Sequence, residues 1–317
     1  MEKNRALARK KFNPINYGVY IIFALILIVF ASMSKAFVSL GNLSMLISNS
    51  ASLMVVCTGL TFVIITGALD LSVGSTLLLS GMIINLLVAK GIAIPLAILA
   101  AVAAGTLIGI INGVIVAKLH ANAFLVTYGT QIAMRGLALT ISGNASIFTD
   151  ATIKEFFRTE LLGLPLYVFI SFALLFGAQF VLRYTTYGRK VITVGCNEAG
   201  AEKIGINTHA IRISVFALSG LFAALAGLVS VANVGNCTPY TGSGVEFNGA
   251  AAILMGGTSM YGGKGSVFPG TLIGIFLLQT MENGLTVLGV NPYYLSLVRG
   301  GLIFIAMFAD SIKNKRA

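Results

Sequence analysis

Apolar side chains run along this chain in blocks longer than a helix of a soluble domain needs. Asking for about 17 to 25 predominantly apolar residues per crossing, the pattern predicts membrane-spanning helices at 17–33, 43–66, 92–117, 164–182, 211–234 and 267–288. Four weaker segments complete the series. Those at 73–88, 124–140 and 295–309 are short or interrupted, and 246–257 is long enough only for a half-helix, so some of these stop inside the bundle instead of crossing it. Runs such as 17–33 show no polar face that could be turned to water. The expected fold class is therefore all-α: a polytopic membrane helical bundle of eight to ten segments, ten preferred. Its organisation reads as a short N-terminal segment (1–16), one transmembrane domain (17–309) and a tail (310–317).

Two interruptions divide the apolar pattern. Residues 67–75 read Gly-Ala-Leu-Asp-Leu-Ser-Val-Gly-Ser, which sets Asp70 among apolar neighbours. An ionised Asp at the centre of a bilayer helix costs about 2.5–3.5 kcal/mol, and such residues usually face a wet path or a partner. The second interruption is the Gly-rich stretch around 235–249. A hexapeptide also occurs twice, Gly105-Thr106-Leu107-Ile108-Gly109-Ile110 and Gly270-Thr271-Leu272-Ile273-Gly274-Ile275, once in a span running inward and once in a span running outward. Chance similarity in an apolar chain competes with inverted repeats, at about 43–140 and 211–309, which would place broken helices and a substrate path near the midplane. Gly105, Gly109 and Gly113 form a small-residue stripe, as do Gly270 and Gly274, and both predict close helix packing, more often within a subunit than between two.

Composition agrees with the pattern: 57% hydrophobic residues, 10% charged, 36 glycines and a mean hydropathy of +0.93 lie outside the range of soluble domains. The net charge of +11 reads as an orientation signal. With ten spans, fifteen Lys and Arg fall on the inner side and four (Lys35, Lys90, Lys154, Arg158) on the outer, with Arg135 and Arg299 inside spans, as cytoplasmic enrichment of basic residues requires. Both termini are then cytoplasmic. No basic stripe with stacking aromatics suggests nucleic acid. Residues 1–36 have a basic start and an apolar stretch but no small-x-small cleavage site, so they read as a first span. Tyr at span ends takes the place of the absent Trp.

Chemistry-bearing residues are sparse. Cys57, Cys196 and Cys237 are widely spaced and predict neither a disulfide framework nor a metal cluster. His120 and His209 are 89 positions apart with no His-Glu-x-x-His pattern, and residues 262–266 fail the phosphate-loop pattern because Thr258 and Gly265 stand where Gly and Ser or Thr are required. The chain thus reads as a non-enzyme with no metal or cofactor of its own, and the glycines as a tight turn. Glu282 and Arg299 lie near one outer loop, where they either pair across a hairpin or snorkel separately. The loop 183–210 predicts a short helix over 198–204, capped by Asn197 and stopped by Gly205. It is either a solvated connection or a docking element.

Five stretches, taken in order, resemble the permease subunit of ribose-type ABC importers: 67–75, 112–130, 187–207, 242–265 and 283–290. The resemblance implies two permease subunits forming the path, identical or homologous, a cytoplasmic ATPase that binds ATP and Mg, and a sugar-binding protein that delivers the solute, in a bacterial cytoplasmic membrane. It also implies that Glu198-Ala199-Gly200, followed by Gly205, couples the chain to the ATPase. Asp70, Ser72, Glu246, Asn248 and Asn283 become candidates for the substrate pathway, although Asp70 and Glu246 are also readable as caps of broken helix ends, the reading preferred for Asp70. The chain departs from the family pattern at Asn248, which replaces a usual acid, and at His120 and Ala123, where Arg and Pro are common. These departures leave the solute open among pentoses, hexoses and polyols. A rival class, a secondary transporter with Asp70 as its proton or sodium site, uses the same broken-helix architecture.

Overall fold

Twelve α-helices are described, and six of them start at a residue whose side chain caps the first turn. A computed structural model describes residues 14–291 and scattered positions between 294 and 308; both chain ends, most of the segment expected at 295–309 and the pairing of Glu282 with Arg299 lie outside the described residues. The helices are α1 (Pro14–Met33), α2 (Leu40–Ile65), α3 (Val73–Ala89), α4 (Ile94–Lys118), α5 (Ala123–Ser142), α6 (Ala151–Arg158), α7 (Leu166–Tyr184), α8 (Thr186–Cys196), α9 (Glu198–Lys203), α10 (Thr208–Val234), α11 (Val245–Met255) and α12 (Leu272–Val287). The expected spans therefore recur within a few residues. The boundaries have local causes: the side chains of Asn122, Asn197 and Asn207 accept backbone N–H bonds at the starts of α5, α9 and α10, and Gly143 and Gly235 end α5 and α10 in the left-handed conformation, where a Cβ would be strained.

The bundle is layered around two helices. α2 and α10 have 78% and 72% of their apolar spans buried, against 28% for α4 and 33% for α7, so the first pair is the core and the second faces outward. α4 joins the core by backbone approach. A Cβ on Gly105 would lie 2.6 Å from the Ala224 Cβ, one on Gly109 would collide with the Phe216 carbonyl, and one on Gly220 with the Gly105 carbonyl. The second stripe does the same against α11: Gly270 and Gly274 approach Gly256 and the Ala252 carbonyl. Both small-residue stripes are thus used inside the chain.

Two regions differ from the sequence expectation. Residues 186–196, read as part of a loop, form α8, because Val191 and Val194 bury completely against α2 and α7 while Thr185 caps the helix through Gly188 N at 3.2 Å. A single turn and a half of apolar stripe is too short to register as a span. At the opposite end, residues 143–165 hold the strands β1 (Ile147–Phe148), β2 (Glu160–Leu161) and β3 (Leu164–Pro165) around α6. β1 pairs antiparallel with β4 (Asn236–Cys237), Ile147 facing Cys237, and β2 pairs with β3. Arg158 reaches the end of α10, its Nε 2.9 Å from the Ala232 carbonyl and its guanidinium also donating to the Asn233 carbonyl, which satisfies helix-terminal acceptors.

Candidate functional site

Both breaks predicted from sequence exist, and they touch. α2 stops at Ile65 and α3 starts at Val73, with Gly67 at φ +75° in between. α10 is followed by residues 235–244, in which Gly242 and Gly244 take positive φ before α11 begins. A Cβ on Gly74 would run into the Gly242 carbonyl and Glu246 Oε2, and one on Gly242 into the Gly74 carbonyl. Glycine at both positions is therefore the condition for the two breaks to meet.

Asp70 is buried and fully engaged. Its Oδ1 accepts from Ser72 N at 2.9 Å and Ser72 Oγ at 2.6 Å, and its Oδ2 accepts from Ser219 Oγ on α10 at 2.7 Å. Ser72 Oγ in turn accepts from Asn112 Nδ2 on α4 at 3.0 Å, and Asn112 Oδ1 accepts from Thr130 Oγ1 on α5 at 2.6 Å. Thr127 accepts from Leu71 N at 3.1 Å. One carboxylate thus ties the first break to three helices. Asn112, Thr130 and Ser219 escape sequence reasoning individually, since a lone small polar residue in a span carries no signal, although Asn112 and Thr130 are the two ends of one of the resembling stretches.

Glu246 occupies the first turn of α11, where the helix dipole favours negative charge. Its Oε1 accepts from Gln131 Nε2 on α5 at 2.7 Å. Arg135, one turn further along α5, donates to the carbonyls of Pro239 at 3.0 Å and Thr241 at 3.4 Å, so α5 holds the second break by two polar residues. Glu246 Oε2, Gln131 Oε1 and Thr76 Oγ1 are buried without a hydrogen-bond partner among the described residues. Asn248, two residues on, is half-buried and is not brought to Glu246's partner. Asn283 lies elsewhere: it exchanges two amide hydrogen bonds with Asn42, at 2.8 and 2.9 Å, and so joins α12 to the start of α2.

At the end of the bundle that carries α9, a cavity of about 610 Å³ is lined by Gly67, Leu69, His120, Glu198, Arg212 and Phe247, among others. It therefore adjoins the first break, α11 and the helix singled out for coupling. Asn197 Oδ1 accepts from Gly200 N at 2.8 Å and Gly205 has φ +81°, as the capped short helix requires. Glu198 pairs with Arg212 through two hydrogen bonds of 2.6 Å. Ala199 is exposed while Ala201 is buried, so α9 presents one small face outward. The sequence-distant His120 and His209 stand with ring centroids 5.6 Å apart beside it. The Gly-rich turn docks here too, with Gly263 N donating to the Ile65 carbonyl at 2.8 Å.

A polytopic helical bundle centred on two interrupted helices is the architecture of a membrane transport protein. Residues 42–307 match the family described as branched-chain amino acid transport system / permease component. Among curated proteins, the chain is 36% identical over 300 residues to the ribose import permease protein RbsC of Escherichia coli K12, covering 93% of each. It is 34% identical to the D-allose transport system permease protein AlsC of the same organism, covering 99% of this chain and 98% of that protein. Similarity to the galactose/methyl galactoside import permease protein MglC of Salmonella typhimurium is 32%, over 94% and 95%. No solved structure matches at a significant level. The chain belongs to this permease family, in its ribose-type ABC branch, and is a multi-pass membrane transport component.

Proposed function

We propose that this chain is the permease subunit of an ABC importer that passes a simple sugar, a ribose-like pentose, a hexose or a related polyol, into the bacterial cytoplasm. Two permease subunits form the path, an attached ATPase binds ATP and Mg and supplies the energy, and a binding protein outside the membrane hands over the sugar. The names of the similar permeases, which speak of ribose, allose and galactose, support the solute class. In this reading the α9 end faces the cytoplasm.

The observation that carries the proposal is the place of α9. It projects an exposed Ala199 while its Glu198 is fixed to Arg212 beside the cavity that reaches the first break. A force on α9 is passed to α10 through that ion pair, and to α2 through α8, because a Cβ on Gly195 would collide with the Ile65 carbonyl. Both routes end at Asp70 and Ser219. Asp70, Ser72, Glu246 and Gln131 hold the two breaks so that they move as a unit, a two-state element biased from one side. Asn248 stays a candidate for contact with the solute; Asn283 serves as a helix lock.

Proteoliposomes test this directly. Sugar should accumulate only with binding protein, ATPase and ATP on the α9 side, and Ala199→Arg should abolish uptake while the assembled chain still inserts. Accumulation driven by a proton or sodium gradient without the ATPase would overturn the reading in favour of a secondary transporter.

A further inference from the structure

The two histidines of the chain are 89 positions apart in sequence, and the transport reading uses neither of them. In the fold they meet: their ring centroids are 5.6 Å apart and the ring planes are inclined at 65°. His120 follows the end of α4 with φ +51°, a conformation uncommon outside glycine that histidine adopts more readily than most residues. His209 is the second residue of α10. Each ring is thus held at a helix end, and the two helices are those that the glycine seam packs together.

The pair holds an unused ligand atom. His209 Nδ1 is buried and has no hydrogen-bond partner among the described residues, whereas most buried polar side-chain atoms have one. His120 is exposed and lines the cavity of about 610 Å³ at the α9 end, so a small ion reaches the pair from that side. With Zn–N bonds of about 2.0–2.1 Å at tetrahedral angles, two imidazoles on one ion have their centroids about 5 Å apart. The observed spacing is close to that, and rings inclined at 65° are not stacked. Imidazole suits Zn²⁺, Cu²⁺ and Ni²⁺, whereas Mg²⁺ and Ca²⁺ take oxygen ligands. No third His, Cys, Asp or Glu joins the two among the described residues, so water fills the other positions. Arg212, one turn along α10 from His209, has its charge met by Glu198 at 2.6 Å, which lessens its repulsion of a cation.

We infer that His120 and His209 form a site for a divalent transition-metal ion, with two imidazole ligands and water in the remaining positions. A bound ion ties the turn between α4 and α5 to the first turn of α10. Thr208, beside His209, donates to Glu202 next to α9's end at 2.7 Å, so the ion clamps the elements around α9 at the mouth of the cavity. The site is independent of which solute is carried.

With only two histidines in the sequence, the test is clean in the full-length chain, purified without a polyhistidine tag and carrying Cys196→Ser to remove the exposed thiol. Zn²⁺ titrated into this chain in detergent and followed by calorimetry should bind as a single ion. His120→Ala and His209→Ala should each abolish that binding while the size-exclusion profile stays that of the parent. His120→Cys supplies a thiolate in place of the imidazole, so it should keep a metal site and shift its preference toward the softer Cd²⁺. Cu²⁺ reports the ligands of the unsubstituted pair directly, and pulsed electron paramagnetic resonance should show two imidazoles on one ion. Zn²⁺ binding that survives both alanine substitutions would overturn the inference. So would a single imidazole on Cu²⁺, or no binding of either ion, which would leave the pair as a ring contact only.

Discussion

Asp70 is costly where it stands, and its surroundings show how the cost is met. Three donors from Ser72 and Ser219 engage both oxygens, so Asp70→Ala orphans an N–H and two hydroxyls inside the bundle. Each orphaned buried group costs about 1–3 kcal/mol, and the variant should unfold well below the parent in a detergent thermal melt. Asp70→Asn keeps an acceptor oxygen and should lose distinctly less. If instead Asp70 were an ion-coupling carboxylate, Asp70→Asn would leave the melt unchanged and make uptake insensitive to a proton gradient. Arg135 is a second residue whose place explains its presence. Its two bonds go to carbonyls of the second break and not to an acid, which is why a search for charge pairs in the sequence passes it by.

At the scale of elements, α9 and its neighbours carry the sharpest expectations. Asn197→Ala removes the cap of a six-residue helix, which costs about 1 kcal/mol and should lower ATP-driven uptake without loss of inserted protein. Glu198→Lys places two cations together at the Arg212 contact and should abolish coupled uptake while basal ATPase activity of the assembled complex persists. Restoring the pair as Glu198→Arg with Arg212→Glu should recover part of it. Uptake at the parental level in Glu198→Lys would remove the ion pair from the coupling route. The glycine seam between α4 and α10 is the complementary element. Gly220→Val inserts side-chain carbon against the Gly105 carbonyl, and failure to accumulate folded protein, measured by size-exclusion profile, is the expected result.

Across the whole molecule, the two ends of the bundle are built differently. One end is Gly-rich and carries α8, α9 and the turn at 262–263; the other is tied by β1, β4 and α6. The sidedness proposed above has a simple check, because Cys196 is exposed at the first end while Cys57 and Cys237 are buried. A membrane-impermeant maleimide should label the chain in inverted vesicles and not in right-side-out ones, and Cys196→Ser should remove the label. Labelling from the outside would reverse the topology.

Most of the bundle was legible in one dimension because a membrane span is a local property: some twenty apolar residues suffice, and Asn, Gly or Pro at its ends sets its limits. The break at 67–75 and the helix over 198–203 were legible for the same reason, since a carboxylate in an apolar run and an Asn-to-Gly interval are short-range signals. α8 and the ribbon of β1 with β4 were not, as they owe their existence to burial against distant segments. The same holds for the site. The sequence by itself named Asp70 as a residue that needs a reason, through the free energy of charge in an apolar setting, and the resemblance to the permease family singled out Glu246 and Glu198. Only the tertiary structure decided what answers them, joining Ser219, Asn112, Gln131 and Arg212 to those acids and separating Asn283 from the group, because hydrogen bonds act over 3 Å in space regardless of how far apart the partners lie along the chain.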